Sequence, residues 1–95
     1  MRWWLHDPAD AEAADGFLAV VRGLEGVPGI LAVRAGRSFE PGWEGPDQSW
    51  DLGFVAIFAD FDAVRGYMEH PAHATLVALG ERVARRFDVF YLETA

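Results

Sequence analysis

The chain contains no cysteine and no lysine. Without cysteine it can form neither a disulfide framework nor a thiolate metal site. It also has no apolar run long enough for a signal peptide or a membrane span, so we expect a cytoplasmic protein with no membrane association. Its eight cationic residues are all arginine, and the formal net charge is −7. This balance would repel a phosphate backbone, which argues against a nucleic-acid partner.

Apolar side chains are plentiful. With 95 residues the chain has room for a single domain, taken as residues 1–95. Hydrophobic residues make up 52% of it and aromatic residues 14%. A small core does not need all of this material, so part of it is expected to line a ligand pocket or face a partner.

The order of apolar periods and turn signals predicts a β-α-β-β-α-β fold. The first half is expected to contain a strand over residues 2–6, a helix over 8–23 capped by Asp7, a strand over 30–37 and a loop over 38–49. A strand over 50–59 follows, then a helix from 61 that is capped by Asp60, breaks near 70 and resumes to about 86. The last element is a strand over 87–93. Two β-α-β halves of this kind form a ferredoxin-like α+β sandwich, an antiparallel sheet with the helices on one face.

The strand predicted over residues 50–59 is apolar on both faces, which indicates a protein partner. One set of alternate residues is apolar throughout: Trp50, Leu52, Phe54, Ala56 and Phe58. Val55 and Ile57 point the opposite way and are also apolar. Two helices cover only one face, and an antiparallel sheet with a wet second face would alternate cleanly. The sequence therefore predicts a homodimer in which the sheet of an identical chain covers the second face.

The segment Tyr67-Met68-Glu69-His70-Pro71-Ala72-His73 concentrates a phenol and two imidazoles in seven residues. A tyrosine and a histidine in one pocket can transfer protons without a metal or cofactor. Together with Trp50-Asp51-Leu52 and Arg34-Ala35-Gly36-Arg37, this segment resembles the stress-responsive A/B-barrel domain, also called the dimeric α/β barrel.

That resemblance implies a function and two roles. Across residues 67–73 the chain is similar to family members that are polyketide cyclases of the olivetolic acid cyclase type, which close a ring by aldol condensation. The resemblance implies that His73 is the general base and Tyr67 its hydrogen-bonding partner. The cyclases carry an aspartate where this chain has Tyr91, so Asp88 or Glu93 would have to orient the histidine.

Other residues are expected near this pair. We predict that Trp4, Trp50 and Phe54 lie on the helix-facing side of the sheet, as pocket wall or as ordinary core. His6 would lie at the rim of the same space, or would be a solvated residue just before the helix cap. His70 is a candidate substrate contact, although a residue before proline more often ends a helix with its ring on a backbone carbonyl.

Three further features leave alternatives open. His70 and His73 are poor candidates for a metal site, because the chain has only one other histidine to complete a ligand set. Trp43, in the long loop, would close over a ligand or contact the partner chain. Arg82, Arg85 and Arg86 are predicted at a helix C-terminus, where cations complement the dipole and anions are repelled.

The leading hypothesis is a homodimeric, cofactor-independent enzyme of the cyclase or lyase kind that acts on an apolar, aromatic or polyketide-like molecule. Two alternatives remain open at this point. One is a non-catalytic, stress-associated dimer that only holds a ligand. The other is a cofactor-free oxygenase of the related dimeric barrels, in which tryptophans line a polyphenol pocket.

Overall fold

A computed structural model describes residues 1–94 of the chain. The elements are β1 (Arg2–Leu5), α1 (Ala11–Arg22), a 3-10 turn (Gly23–Gly26), β2 (Ile30–Arg37), β3 (Leu52–Phe58), α2 (Phe61–Glu69), α3 (Pro71–Val83) and β4 (Ala84–Asp88). The four strands form one sheet in the order β2-β3-β1-β4, with every neighbouring pair antiparallel. This arrangement is the predicted ferredoxin-like α+β fold.

The helix α1 starts later than predicted. Its N-cap is Asp10, whose carboxylate accepts a hydrogen bond from Ala13 N–H at 3.0 Å. Asp7, the predicted cap, instead accepts from Ala9 N–H at 3.1 Å and closes a local turn that contains Pro8. The prediction failed because two aspartates three residues apart both offer a cap, and the turn at Asp7 delays the helix.

The C-terminal boundary also differs from the prediction. The helix α3 ends at Val83, and the chain enters β4 at Ala84, not at residue 87. The reason is long-range: β1 offers its backbone to this segment, and Ala84 pairs with Leu5. Arg85 and Arg86 are consequently strand residues and do not lie at a helix C-terminus.

Trp3 is the centre of the core on the helix-facing side of the sheet. Its ring meets Phe17 of α1 edge to face at 4.5 Å and stacks on Phe54 of β3 at 5.5 Å. Gly80 of α3 passes close above it, since a Cβ at that position would lie 3.4 Å from Trp3 Nε1. The small residue at position 80 therefore lets the third helix approach the sheet directly over the indole.

Trp4 lies on the side of the sheet opposite the helices, here called the outer face. Val55 and Ile57 point to the same side. The Trp4 side chain is nearly fully buried, yet it is not part of the core cluster around Trp3. The guanidinium groups of Arg2 and Arg86 lie 5.2 and 4.1 Å from its ring centre. The prediction that Trp4 faces the helices is wrong, because its strand neighbour Trp3 takes that side.

The loop over residues 38–51, here called the strap, covers this part of the outer face. Trp4 Nε1 donates to Ser49 Oγ at 3.0 Å, and Arg2 donates to Asp47 at 3.2 Å. Trp50 belongs to the strap and donates from Nε1 to the Asp47 carbonyl at 2.8 Å. A Cβ on Gly53 would lie 3.1 Å from the Trp50 ring, so this indole also lies on the outer face. The prediction that Trp50 faces the helices is therefore wrong as well.

Beyond the strap the outer side of β3 is bare and apolar, with Arg34 of β2 opposite Val55. Val55 and Ile57 are 66% and 55% exposed, whereas Leu52 on the other side of the same strand is fully buried. The predicted assignment of β3 residues from Leu52 to Phe58 to two faces is correct. A single chain thus leaves β-branched side chains in water on a sheet surface.

Candidate active site

A cavity of about 1280 Å³ lies beside the core, between the sheet and the two C-terminal helices, and it reaches around the open edge of β3 to Val55 and Ile57. Its apolar wall includes Trp3, Phe54 and Phe58 from the sheet and Leu76 from α3. The segment 89–92, which comes after β4, adds four large side chains: Val89, Phe90, Tyr91 and Leu92. All four are at least 46% exposed, so they border the space without filling it.

One side of the cavity is open because β1 is short. β1 pairs with β3 only through Arg2 with Gly53 and Trp3 with Leu52. The N-terminal residue adds a reciprocal pair of hydrogen bonds with the backbone of Phe54, each 3.0 Å long. Within residues 1–94, the part of β3 after Phe54 has no strand on that side. The gap leaves this edge of β3 open to the cavity.

Tyr67 and His73 meet at the wall of this cavity. Tyr67 lies in the last turn of α2, and His73 lies in the first turn of α3. Between them His70 has extended backbone (φ −78°, ψ 143°), which breaks the helix before Pro71. The break brings the two rings together edge to face, with centres 4.9 Å apart. Phe58 supports the phenol from the sheet at 5.6 Å.

The polar ends of this pair have no protein partner in the described part of the chain. Neither the Tyr67 hydroxyl nor the His73 ring makes a hydrogen bond to another residue there. Among the described residues, every fully buried side-chain polar atom has a partner, so these unpaired groups are not fully buried. The phenol is 8% exposed, so its hydroxyl reaches the cavity. Both groups are thus available to a bound molecule, and the expected direct hydrogen bond between them is not formed in this structure.

Burial raises the pKa of the Tyr67 phenol to about 12, and the nearby Tyr91 phenol adds to the effect. Desolvation disfavours the phenolate, so the neutral form persists well above neutral pH. At physiological pH Tyr67 is a hydrogen-bond donor. It cannot serve as a base there, which leaves proton acceptance to His73.

The raised pKa predicts a late tyrosine titration. The chain has two tyrosines. Tyrosinate absorbance should show one component near pH 12, and Tyr67→Phe should remove it. Between the unfolded value of about 10 and this folded value, the native state holds its proton more tightly, so the stability tied to Tyr67 falls as pH rises. The matched control Tyr91→Phe should retain a late component, and a late component that survives Tyr67→Phe would contradict the assignment.

His70 has a local structural role. Its Nδ1 accepts a hydrogen bond from Ala72 N–H at 3.0 Å and so caps α3. The ring therefore satisfies a backbone donor, whereas the sequence predicted that it would meet a carbonyl. His70 does not line the cavity among the described residues, so its predicted place as a substrate contact is not supported.

We expect His70→Ala to lower the free energy of unfolding by about 1 kcal/mol, as for other lost N-caps. His70→Asn should restore most of that loss, because asparagine is a strong N-cap residue. Chemical denaturation measures both variants. If the alanine variant unfolds at the wild-type denaturant concentration, the cap contributes nothing to stability.

The other predicted site residues lie elsewhere. His6 is exposed, and its backbone N–H donates to Val83 O at 2.9 Å. Trp4 and Trp50 lie on the outer face as described. Asp88 is bound to Arg2 through two hydrogen bonds, which hold the pKa of its carboxyl below its usual range, so it is committed away from His73. Of the predicted aromatic wall, Phe54 is in place.

Sequence reasoning missed Trp3, Leu76 and Arg85 in the cavity wall. A usable signal for Trp3 was its spacing from Leu5, because the two share strand parity and are both in the core. Leu76 lies one turn after His73 on α3, so helical spacing also could have found it. Arg85 carried no such signal, since its position depends on where β4 begins.

The described residues offer neither a metal site nor a membrane span. Within residues 1–94, no group of three or more His, Asp or Glu side chains is arranged to hold a metal ion. In the same part of the chain, no helix has the length and apolar character needed to cross a bilayer. A second depression of about 360 Å³ lies beside the strap, away from Tyr67 and His73.

Comparisons with known proteins agree with this fold. A dimeric protein of unknown function from Bacteroides fragilis with a ferredoxin-like fold superposes with a TM-score of 0.68. It is 19% identical, and the match covers 90% of this chain and 82% of that one. No curated protein matches the sequence. The model of the stress responsive A/B barrel domain matches residues 1–92, nearly the whole chain. The chain therefore belongs to the stress-responsive A/B-barrel domain family.

Proposed function

We propose that the protein is a cofactor-independent enzyme of the cyclase or lyase kind that acts on a small apolar or aromatic molecule. One observation carries the proposal: a neutral phenol and an imidazole, with ring centres 4.9 Å apart, both present free polar atoms to an apolar cavity. A pocket with mostly apolar walls and a few convergent polar groups is typical of small-molecule sites.

The chemistry divides between the two residues. His73 removes an acidic proton from a carbon next to a carbonyl group. The carbonyl oxygen becomes an enolate oxygen, and Tyr67 donates a hydrogen bond to it. The raised pKa of the phenol keeps this proton in place throughout the physiological range. The enolate carbon then attacks a second carbonyl of the same molecule, and the proton held by His73 is returned to the alkoxide formed there.

The apolar walls contribute in two ways. Trp3, Phe54 and Phe58 offer flat surfaces against which an aromatic or folded polyketide chain packs. They also exclude water from the reacting carbonyl, which strengthens the hydrogen bond from the phenol. This division of roles requires no metal or redox cofactor.

We also propose that the protein is a homodimer joined through the outer face. The support is the pair of exposed side chains Val55 and Ile57, with Trp43 and Phe39 exposed on the strap at 67% and 77%. The strap is held over Trp4 on the outer face by Asp47 and Ser49. Trp43 belongs to the same loop and does not line the Tyr67 cavity, which supports a contact with the partner over closure on a ligand. The similar Bacteroides fragilis protein is itself dimeric.

A ligand-binding protein without turnover is the second candidate. Its support is the absence of a carboxylate on the His73 ring within the described residues, since an acid partner is a common way to orient a catalytic imidazole. The cofactor-free oxygenase has less support, because two of its expected tryptophans, Trp4 and Trp50, lie on the outer face.

A substrate panel tests the proposal. Poly-β-keto thioesters and substituted phenols should be incubated with the protein, with product formation and melting temperature measured in parallel. A compound that raises the melting temperature and is converted supports an enzyme. A compound that raises it without conversion supports the binding protein, and a panel with neither effect counts against a ligand cavity of this kind.

A further inference from the structure

The arginines of this acidic chain divide into two groups. Arg2, Arg34, Arg37 and Arg65 each lie within 4.0 Å of a carboxylate. Four others, Arg22, Arg82, Arg85 and Arg86, have no such partner within residues 1–94. Half of the eight arginines therefore lack an acid partner, and of these only Arg85 and Arg86 border the cavity.

Arg85 borders the cavity that contains Tyr67 and His73. It sits beside the irregularity in the pairing of β1 with β4, where Ala84 pairs with Leu5 and Arg86 pairs with Trp4. Arg85 is thus the extra residue of a bulge, and such residues are often re-aimed relative to their strand. Arg86 also borders the cavity, but its guanidinium lies over the Trp4 ring at 4.1 Å.

Arg85 and His73 are at opposite ends of the space. The helix α3 carries His73 in its first turn and Glu81 near its end, and both line the cavity. Eight residues of α-helix span about 12 Å at ~1.5 Å per residue. Arg85 comes two residues after the end of the helix, so we place it at the Glu81 end of the cavity, away from the proton-transfer pair.

We propose that Arg85 binds the carboxylate of an elongated apolar acid whose other end lies at Tyr67 and His73. A guanidinium presents paired N–H donors that match a carboxylate. The inference rests on the proposed use of this cavity as a ligand site, and it narrows the substrate class to anionic chain-like molecules. Glu81 is the one carboxylate of the described wall, and it opposes the effect.

Isothermal titration calorimetry with decanoate and its neutral counterpart 1-decanol tests the inference. The unaltered protein should bind decanoate about tenfold to a hundredfold more tightly, the range for a hydrogen bond to a charged group. Arg85→Ala should abolish this preference while leaving the affinity for decanol within about twofold. Glu81→Gln should increase the preference, because it removes the opposing charge.

Arg82→Ala is the matched control. It removes the same charge three residues before Arg85, and the Arg82 side chain does not line the cavity. This variant should leave the preference unchanged. Equal loss in the Arg82 and Arg85 variants would indicate a general charge effect and overturn the site. Binding of decanol without preference for decanoate would overturn the role of Arg85 but not the ligand cavity. No binding of either probe would count against both proposals.

Discussion

Replacing His73 by alanine is expected to lower turnover by about a hundredfold or more, the usual contribution of a positioned proton acceptor. The physical reason is that the phenol beside it, with a pKa of about 12, cannot accept the proton in its place. Turnover should be measured on whichever compound of the substrate panel is converted, at saturating concentration. Circular dichroism of the variant verifies that the fold is retained.

Tyr67→Phe separates catalysis from packing in the same experiment. It keeps the ring that contacts Phe58 and His73 and removes only the hydroxyl. Turnover should fall while ligand affinity stays nearly constant, because the lost hydrogen bond strengthens only as charge develops on the substrate. His6→Ala is the control, because it changes an exposed histidine outside the cavity wall. It should leave turnover and ligand affinity unchanged. Full activity in both the His73 and Tyr67 variants would remove this pair from the mechanism.

Introducing glutamate at Ile57 is expected to dissociate the proposed homodimer. Ile57 pairs with Ala32, so no cation lies directly opposite it, whereas Val55 lies opposite Arg34. A carboxylate placed here between two packed sheets must be buried without a partner, and a symmetric interface contains the change twice. We expect the dissociation constant to rise on the order of a hundredfold or more. Sedimentation velocity across a range of protein concentrations measures this shift directly.

Phe61→Glu provides a control of equal charge. Phe61 is 69% exposed, but it opens α2 in the helix layer and does not belong to the sheet surface that carries Ile57. Its replacement should leave the oligomeric state unchanged. If the unaltered chain sediments as a monomer at micromolar concentration, the interpretation of the bare outer face is wrong.

The alternation in β3 predicted the fold well because a strand gives each residue only two possible directions. Leu52 and Val55 are both apolar, yet the strand period alone assigned them to opposite sides. The cap at Asp60 was equally local: its carboxylate accepts from Ala63 N–H at 2.8 Å, as the sequence indicated. Both features are settled within one strand or one helical turn, where a single candidate was available; the cap of α1, with two candidate aspartates, was predicted wrongly.

The orientation of the first strand was not predictable in the same way. Trp3 and Trp4 are adjacent and identical, so period-two alternation offers no basis for choosing which one faces the helices. The choice is made by contacts far away in sequence. Ser49 and Arg86 stabilise Trp4 on the outer face, and Phe17 and Phe54 receive Trp3.

The sequence was sufficient to predict the Tyr67–His73 pair of the candidate site, but it was not sufficient to predict Arg85. Tyr67 and His73 lie six residues apart across a proline break, and this local geometry is encoded in the sequence. Arg85 depends on the register of β4 against β1, which is set by backbone pairing between residues about 80 positions apart. Helical periodicity continued through this segment and gave no warning that the strand starts at Ala84.

The short first strand has a consequence for backbone dynamics. Phe54 directs its N–H and C=O groups toward β1, where the N-terminal residue binds them. By the alternation of a strand, Val55 and Ile57 point their amides toward β2, while Ala56 points toward the gap. A central strand thus combines protected amides with one that water can reach. Hydrogen exchange should therefore be fast at Ala56 and slow at its two neighbours, and a molecule bound in the gap should slow exchange at Ala56 alone.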